Sequence, residues 1–129
     1  MPLKLSLKPG EKLVINGAVV ENGDRRATLV LQNKASVLRE KDIMQQADAN
    51  TPARRIYFPV MMMYLDQGPT GESYNEFALR MTEFMGAILN PEMLAECVAL
   101  SRDVMGGEYY KGLMRCRKLI AYEDSLLGA

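Results

Sequence analysis

No histidine occurs among the 129 residues, which removes imidazole acid–base catalysis and imidazole metal ligation together. The two cysteines, Cys97 and Cys116, are too few for a disulfide framework or a four-thiolate zinc site, and they fit a reducing cytosol. Both fall on apolar helical faces, where a thiol packs as a small hydrophobe. No GxGxxG, Walker loop, GxSxG or HExxH pattern is present. Adjacent carboxylates such as Glu123-Asp124 read as solvated charge on a polar helix surface. Together these features argue against an enzyme, and they call for no cofactor and no metal.

The chemistry that remains is recognition of anions by arginine and lysine. Arg25-Arg26 follows an Asn-Gly pair and so falls near a hairpin tip. Lys34 stands at a further turn, Arg39 and Lys41 lie just past the last strand, and Arg54-Arg55 opens the second half. Residues near strand ends of a small sheet can converge on one rim. Arginine forks match phosphate oxygens and guanine edges, and an aromatic such as Tyr57 supplies a stacking surface for single-stranded RNA. Sixteen basic residues balance sixteen acidic ones, so a sequence-blind coat on nucleic acid is excluded. The balance is uneven along the chain. Residues 1–55 carry ten basic against six acidic residues, and residues 56–129 carry six against ten.

The elements that must position these side chains change type midway. Leu3, Leu5 and Leu7 alternate with polar residues and predict one buried face of a strand, stopped by Pro9-Gly10. Leu13-Val14-Ile15 ends at Asn16-Gly17, a pair suited to a type I′ turn. Ala18 to Glu21 follows, then Asn22-Gly23, then a strand over Ala27 to Leu31, so that the segment predicts a tight meander of short strands. Ser36-Val37-Leu38 closes the run, and Arg39 to Met44 reads as a short helix or the end of the sheet.

The second half reads as helices after a polar linker over Ala47 to Asn50. Thr51-Pro52 offers an N-cap with proline in the first turn. Ile56, Tyr57, Val60, Met63 and Tyr64 have helical spacing, although Pro59 falls among them and predicts a kink or a shortened helix. A strand from Arg55 to Phe58 is the competing reading. Met61-Met62-Met63 suits either an adaptable contact surface or a helix interior. Gln67 to Gly71 is a break. Tyr74, Phe77, Ala78, Met81, Phe84, Met85, Ile88 and Leu89 trace the next face. Asn90-Pro91 caps a helix whose face is Leu94, Cys97, Val98, Ser101, Val104 and Met105. After Gly106-Gly107 a last helix aligns Tyr109, Leu113, Cys116 and Ile120. No apolar run approaches the ~20 residues that span a bilayer. The amino terminus lacks a secretory apolar core, so the expected location is the cytoplasm.

Three segments resemble the FlbT family of alphaproteobacterial flagellin regulators: Leu3 to Ala18 (LKLSLKPGEKLVINGA), Leu31 to Met44 (LQNKASVLREKDIM) and Ile56 to Leu65 (IYFPVMMMYL). The similarity continues through Glu108-Tyr109-Tyr110-Lys111 and Arg117-Lys118-Leu119-Ile120. It implies action after transcription on the 5′ untranslated leader of flagellin mRNA, with reduced translation and faster decay as the usual outcome. It also implies a genetic partner, the FlaF family.

Residues 3–44 resemble the CsrA family of RNA-binding translational regulators as well, through Leu-x-Leu, Lys8-x-Gly10-Glu11-x-Leu13-Val14-Ile15 and Val37-Leu38-Arg39-Glu40. That resemblance implies an RNA contact at Arg39 and self-association by strand exchange. The first-strand arginine of that family falls on Leu7 here, with Lys8, Arg25, Arg26 or Lys34 available to compensate.

The combined expectation is an α+β protein. A small antiparallel sheet over residues 1–46 binds RNA through Arg39, Lys8, Arg25, Arg26, Lys34 and Lys41. A bundle of three to four helices over residues 51–129 packs on that sheet and offers an apolar groove to a protein partner. The expected partners are the flagellin mRNA leader, FlaF, flagellin and a second copy of the chain, with no membrane. The rival expectation is a partner or chaperone-like factor that acts on message only indirectly.

Overall fold

The computed structural model describes residues 2–66 and 71–127. The break expected at Gln67 to Gly71 lies, for 67–70, outside the described residues. Five strands precede four α-helices, an α+β chain as the sequence predicts. The chain divides into two compact units, Met1–Ile43 and Met44–Ala129.

The first unit holds β1 (Leu3–Leu7), β2 (Lys12–Ile15), β3 (Ala18–Glu21), β4 (Ala27–Leu31) and β5 (Val37–Arg39). They form two small antiparallel sheets, β1-β4 and β3-β2-β5, in place of one meander. The two Asn-Gly pairs explain the difference. Asn16 and Gly17 both take positive φ, 49° and 84°, and close the β2-β3 hairpin as a two-residue turn. Neither Asn22 nor Gly23 does so. The Asn22 amide instead donates to the carbonyls of Lys8 and Arg25, each at 2.8 Å, and the Gly23 carbonyl accepts the Gly10 N–H at 2.9 Å. These bonds carry the chain past the β1-β2 turn, so β4 pairs with β1 rather than with β3. Arg25 and Arg26 therefore sit in a crossing loop, not at a hairpin tip.

Leu5, Leu7 and Leu13 form a buried cluster in this unit, with Ile15, Val20, Leu29, Leu31 and Val37 packed against them, and Val14 and Leu38 are buried as well. Burying a leucine contributes about 1.5–3 kcal/mol relative to leaving it in water. Leu3, at the start of the alternating run, remains half exposed. The expected short helix after β5 is a single 3-10 turn, Glu40–Asp42.

The second unit opens with a 3-10 turn, Gln46–Asp48, and continues through α1 (Pro52–Leu65), α2 (Gly71–Ala87), α3 (Pro91–Met105) and α4 (Tyr109–Leu126). Helix α1 lies against α2 and α4, and α3 against α4. Thr51 and Asn90 cap α1 and α3: the Thr51 hydroxyl accepts the Arg54 N–H, and the Asn90 side chain accepts those of Glu92 and Met93. Helix α1 runs through Pro59, so neither the shortened helix nor the strand over 55–58 is present. A proline inside a helix costs about 3 kcal/mol. The buried residues Ile56, Tyr57, Val60, Met61 and Met63 lie on both sides of it, and each offsets about half that cost or more by leaving water.

The helical faces differ in detail from the sequence pattern. On α2 the buried residues are Phe77, Met81 and Phe84. Ala78 is exposed, and Ile88 and Leu89 lie beyond the helix end, Leu89 almost wholly in solvent. On α3 the buried apolar side chains are Cys97, Leu100 and Val104, while Val98 and Met105 point outward. On α4 Leu119, not Ile120, completes the face with Leu113 and Cys116. No helix among the described residues is long and apolar enough to cross a membrane.

Candidate nucleic-acid interface

The first unit carries a concavity of about 690 Å³ bounded by the end of β1, the turn that follows it and the end of β5. Alternation along β1 buries Leu7 and turns Ser6 and Lys8 outward. The turn Lys8-Pro9-Gly10-Glu11 has proline second and glycine third. Its glycine takes φ 73°, and the Glu11 N–H returns to the Lys8 carbonyl at 3.1 Å, the pattern of a type II turn. Arg39 closes β5 opposite Leu13 of β2. The 3-10 turn then presents Glu40 and Lys41, and Arg26 enters from the loop before β4.

Four basic side chains, Lys8, Arg26, Arg39 and Lys41, thus share one concavity with two carboxylates, Glu11 and Glu40. Both carboxylates are anchored to backbone. Glu11 Oε1 accepts the Lys8 N–H at 2.9 Å, and Glu40 Oε1 accepts the Lys12 N–H at 2.7 Å. Glu11 Oε2 also accepts from Arg39, at 3.1 Å from Nε and 2.8 Å from Nη2. Arg39 Nη2 donates in addition to the Ser6 carbonyl. The Lys8 N–H, followed by the Arg39 guanidinium, holds the Glu11 carboxyl below its ordinary range. Arg39 keeps 30% of its side chain in solvent, so its head is fixed in place yet reachable.

Of the six arginines and lysines singled out in the sequence, Lys8, Arg26, Arg39 and Lys41 meet here, while Arg25 and Lys34 are exposed elsewhere and do not line the concavity. Leu7, which stands where the CsrA resemblance expects a first-strand arginine, belongs to the core, and its neighbour Lys8 occupies the rim. Tyr57 is buried to 3% exposure and is no stacking platform. Arg54 is engaged by Asp124, with Nη1 and Nη2 at 3.0 and 3.1 Å from the two carboxylate oxygens. Glu123 and Asp124 are consequently not solvated surface charge. Glu123 is buried and its Oε2 accepts the Ala53 N–H at 2.9 Å. Sequence reasoning missed Glu11 and Glu40. The available signal was a carboxylate three residues after Lys8 in a Pro-Gly turn, within reach of the Lys8 N–H.

Other features of the second unit offer less to an anion. A concavity of about 790 Å³ there has Arg55 and Arg80 among three carboxylates, Asp66, Glu72 and Glu76, and Arg80 is tied to Glu76 and Glu83. Cys97 and Cys116 are buried free thiols. Burial pushes Cys97 up to about 11 and Cys116 higher still, which makes both poor nucleophiles. Among the described residues no group of histidine, cysteine, aspartate or glutamate could hold a metal ion.

The fold and this concavity define a class: a two-unit α+β chain whose strand-built unit presents a surface where four basic side chains meet two carboxylates. The family model described as Flagellar protein FlbT matches residues 3–127, and the chain belongs to that family. It is 70% identical over 128 residues, covering 99% of the chain and 98% of the relative, to the probable flagellum biosynthesis repressor protein FlbT of Caulobacter sp. strain K31. It is 68% identical to the flagellum biosynthesis repressor protein FlbT of Caulobacter vibrioides (strain ATCC 19089 / CIP 103742 / CB 15), covering 99% of the chain and 91% of the relative. Identity is 39%, over 98% of each chain, to the probable flagellum biosynthesis repressor protein FlbT of Rhodopseudomonas palustris strain TIE-1. No solved structure matches.

Proposed function

We propose that this chain represses flagellum biosynthesis after transcription, in the cytoplasm, by binding the 5′ leader of flagellin mRNA through the concavity of its first unit. Occupying a leader near the ribosome site needs no catalysis, and blocked initiation leaves the message open to nucleases. The observation that carries this reading is the meeting of Lys8, Arg26, Arg39 and Lys41 around one surface, in the half of the chain where basic residues outnumber acidic ones. Arg25 and Lys34 extend the positive field without lining the site. Self-association belongs to the same proposal, because among the described residues β1, β3 and β4 each pair with one strand, and strand edges of small sheets recruit further strands.

The test is a titration of the protein against a flagellin leader and a scrambled RNA of equal length, at 50 and 200 mM salt. Three or four phosphate contacts on a single strand give a slope that weakens binding about 20–50-fold over that range. Selective, salt-sensitive binding supports the reading, and equal or absent binding overturns it. A second reading has one observation in its favour: Arg39 is already engaged by Glu11 and Ser6. In that reading the chain works through FlaF and flagellin and affects the message indirectly. RNA binding that appears only when those proteins are added is its signature.

A further inference from the structure

A carboxylate among the basic side chains of a surface proposed to receive RNA demands an explanation. Glu11 is not a passing neighbour of Arg39. One of its oxygens takes the Lys8 N–H and the other takes two nitrogens of the Arg39 guanidinium. Its side chain is only 16% exposed. The same residue closes the Pro9-Gly10 turn through its own N–H, and its carbonyl accepts the Asn22 N–H at 2.8 Å. The Glu11 side chain therefore ties the direction of the Arg39 head to the Lys8 N–H, while the bonds of its own N–H and carbonyl are backbone contacts that any residue at this position keeps. A free arginine or lysine side chain loses much rotamer freedom when it meets a ligand, and fixing it beforehand removes that cost. The carboxylate also subtracts from the positive field, which lowers attraction for any polyanion regardless of its sequence.

We propose that Glu11 is a positioning residue for RNA recognition: it holds Arg39 and the Lys8 turn in one arrangement, sacrificing generic attraction for polyanions to gain selectivity for the leader. This inference rests on the RNA-binding reading above. It carries a consequence opposite in sign to simple electrostatics, since removing a negative charge from a cationic site then weakens specific binding.

The experiment compares the full chain with Glu11→Ala, Glu11→Asp and Glu11→Gln, titrated against the flagellin leader and the scrambled RNA. Glu11→Ala is expected to bind the leader about tenfold more weakly, because Arg39 and the turn lose their fixed geometry. Its binding to scrambled RNA stays equal or tightens. Glu11→Asp keeps the charge but falls one methylene short, and is expected to lose selectivity too. Glu11→Gln keeps one acceptor oxygen, enough for the Lys8 N–H or the Arg39 guanidinium but not both, and sets an NH2 donor against the other, so its leader affinity is expected to fall between those of Glu11→Ala and the unaltered chain. A tighter grip of Glu11→Ala on both RNAs alike, or an unchanged preference in Glu11→Asp, overturns the proposal. Should circular dichroism show Glu11→Ala unfolded, Glu11→Asp and Glu11→Gln decide alone. Failure of the unaltered chain to bind either RNA removes the RNA-binding reading itself, a result distinct from loss of selectivity in the variants.

Discussion

Glu123→Ala isolates a contact that joins the end of the chain to the start of its first helix. The Glu123 carboxylate reaches from α4 to the N–H of Ala53, one of the amides at the start of α1 that no helical carbonyl can satisfy. Ala53 is fully buried and Glu123 is 7% exposed, so water does not replace the lost acceptor. An unsatisfied buried N–H costs about 1–3 kcal/mol, and loss of a helix cap costs about 1 kcal/mol by a separate measure. The attraction to Arg54 at 3.7 Å adds little, because that guanidinium keeps 28% exposure and is held mainly by Asp124. The expected loss is about 2–3 kcal/mol, or about 10–20 °C in Tm for a unit of this size. Glu123→Gln retains an oxygen for Ala53 and should cost about 1 kcal/mol. Thermal and urea unfolding followed by circular dichroism measure both. A Glu123→Ala protein within about 0.5 kcal/mol of the parent refutes the reasoning, since it means the amide finds another partner.

Further outcomes follow from the same geometry. A Cβ on Gly112 would stand 3.3 Å from Leu100 Cδ1, 3.5 Å from Val60 Cγ1 and 3.6 Å from Val104 Cγ2. The gain of about 1 kcal/mol in helix propensity from Gly112→Ala is then offset by that crowding, whereas Gly112→Val is expected to destabilise by about 1–3 kcal/mol in a urea titration. Cys97 and Cys116 should resist a thiol reagent in the folded chain and react together in denaturant, because burial holds both thiols protonated; rapid labelling of the folded chain contradicts this. The folded Glu11 carboxyl lies below its ordinary value of 4.5, so its contribution is fully present above that value and is lost as pH falls through the lowered one. A carbon-detected titration of Glu11 should therefore show a midpoint below 4.5, and a midpoint above it contradicts the contact with Lys8 and Arg39.

Identical dipeptides show where the sequence was legible and where it was not. Asn16-Gly17 makes the hairpin that its type predicts, because Ile15 and Ala18 on either side are free to pair. Asn22-Gly23 does not, because the Asn22 side chain finds the Lys8 and Arg25 carbonyls, partners invisible to local reading. Helix existence was plain from caps such as Thr51-Pro52 and Asn90-Pro91. The buried stripe on α3 was not, since Val98 and Met105 offer apolar residues on a second side. Within the candidate site, Arg39 and Lys41 were legible as cations just past the last strand, Arg26 was expected at a hairpin tip that is a crossing loop instead, and Lys8 was named only through the CsrA resemblance. The role of Glu11 was not legible, because a charge of the wrong sign for phosphate carries no local mark of its contacts with Lys8 and Arg39.

The claim that the strand-built unit receives RNA is tested most directly by mapping amide shifts of the isotope-labelled chain as a flagellin leader fragment is added. The account predicts that the amides of Lys8, Gly10 and Glu11, of Arg26 and of Arg39 to Lys41 move, while those of α1 to α4 move little. Shifts confined to residues 44–127, or none at concentrations where the leader is in excess, contradict it.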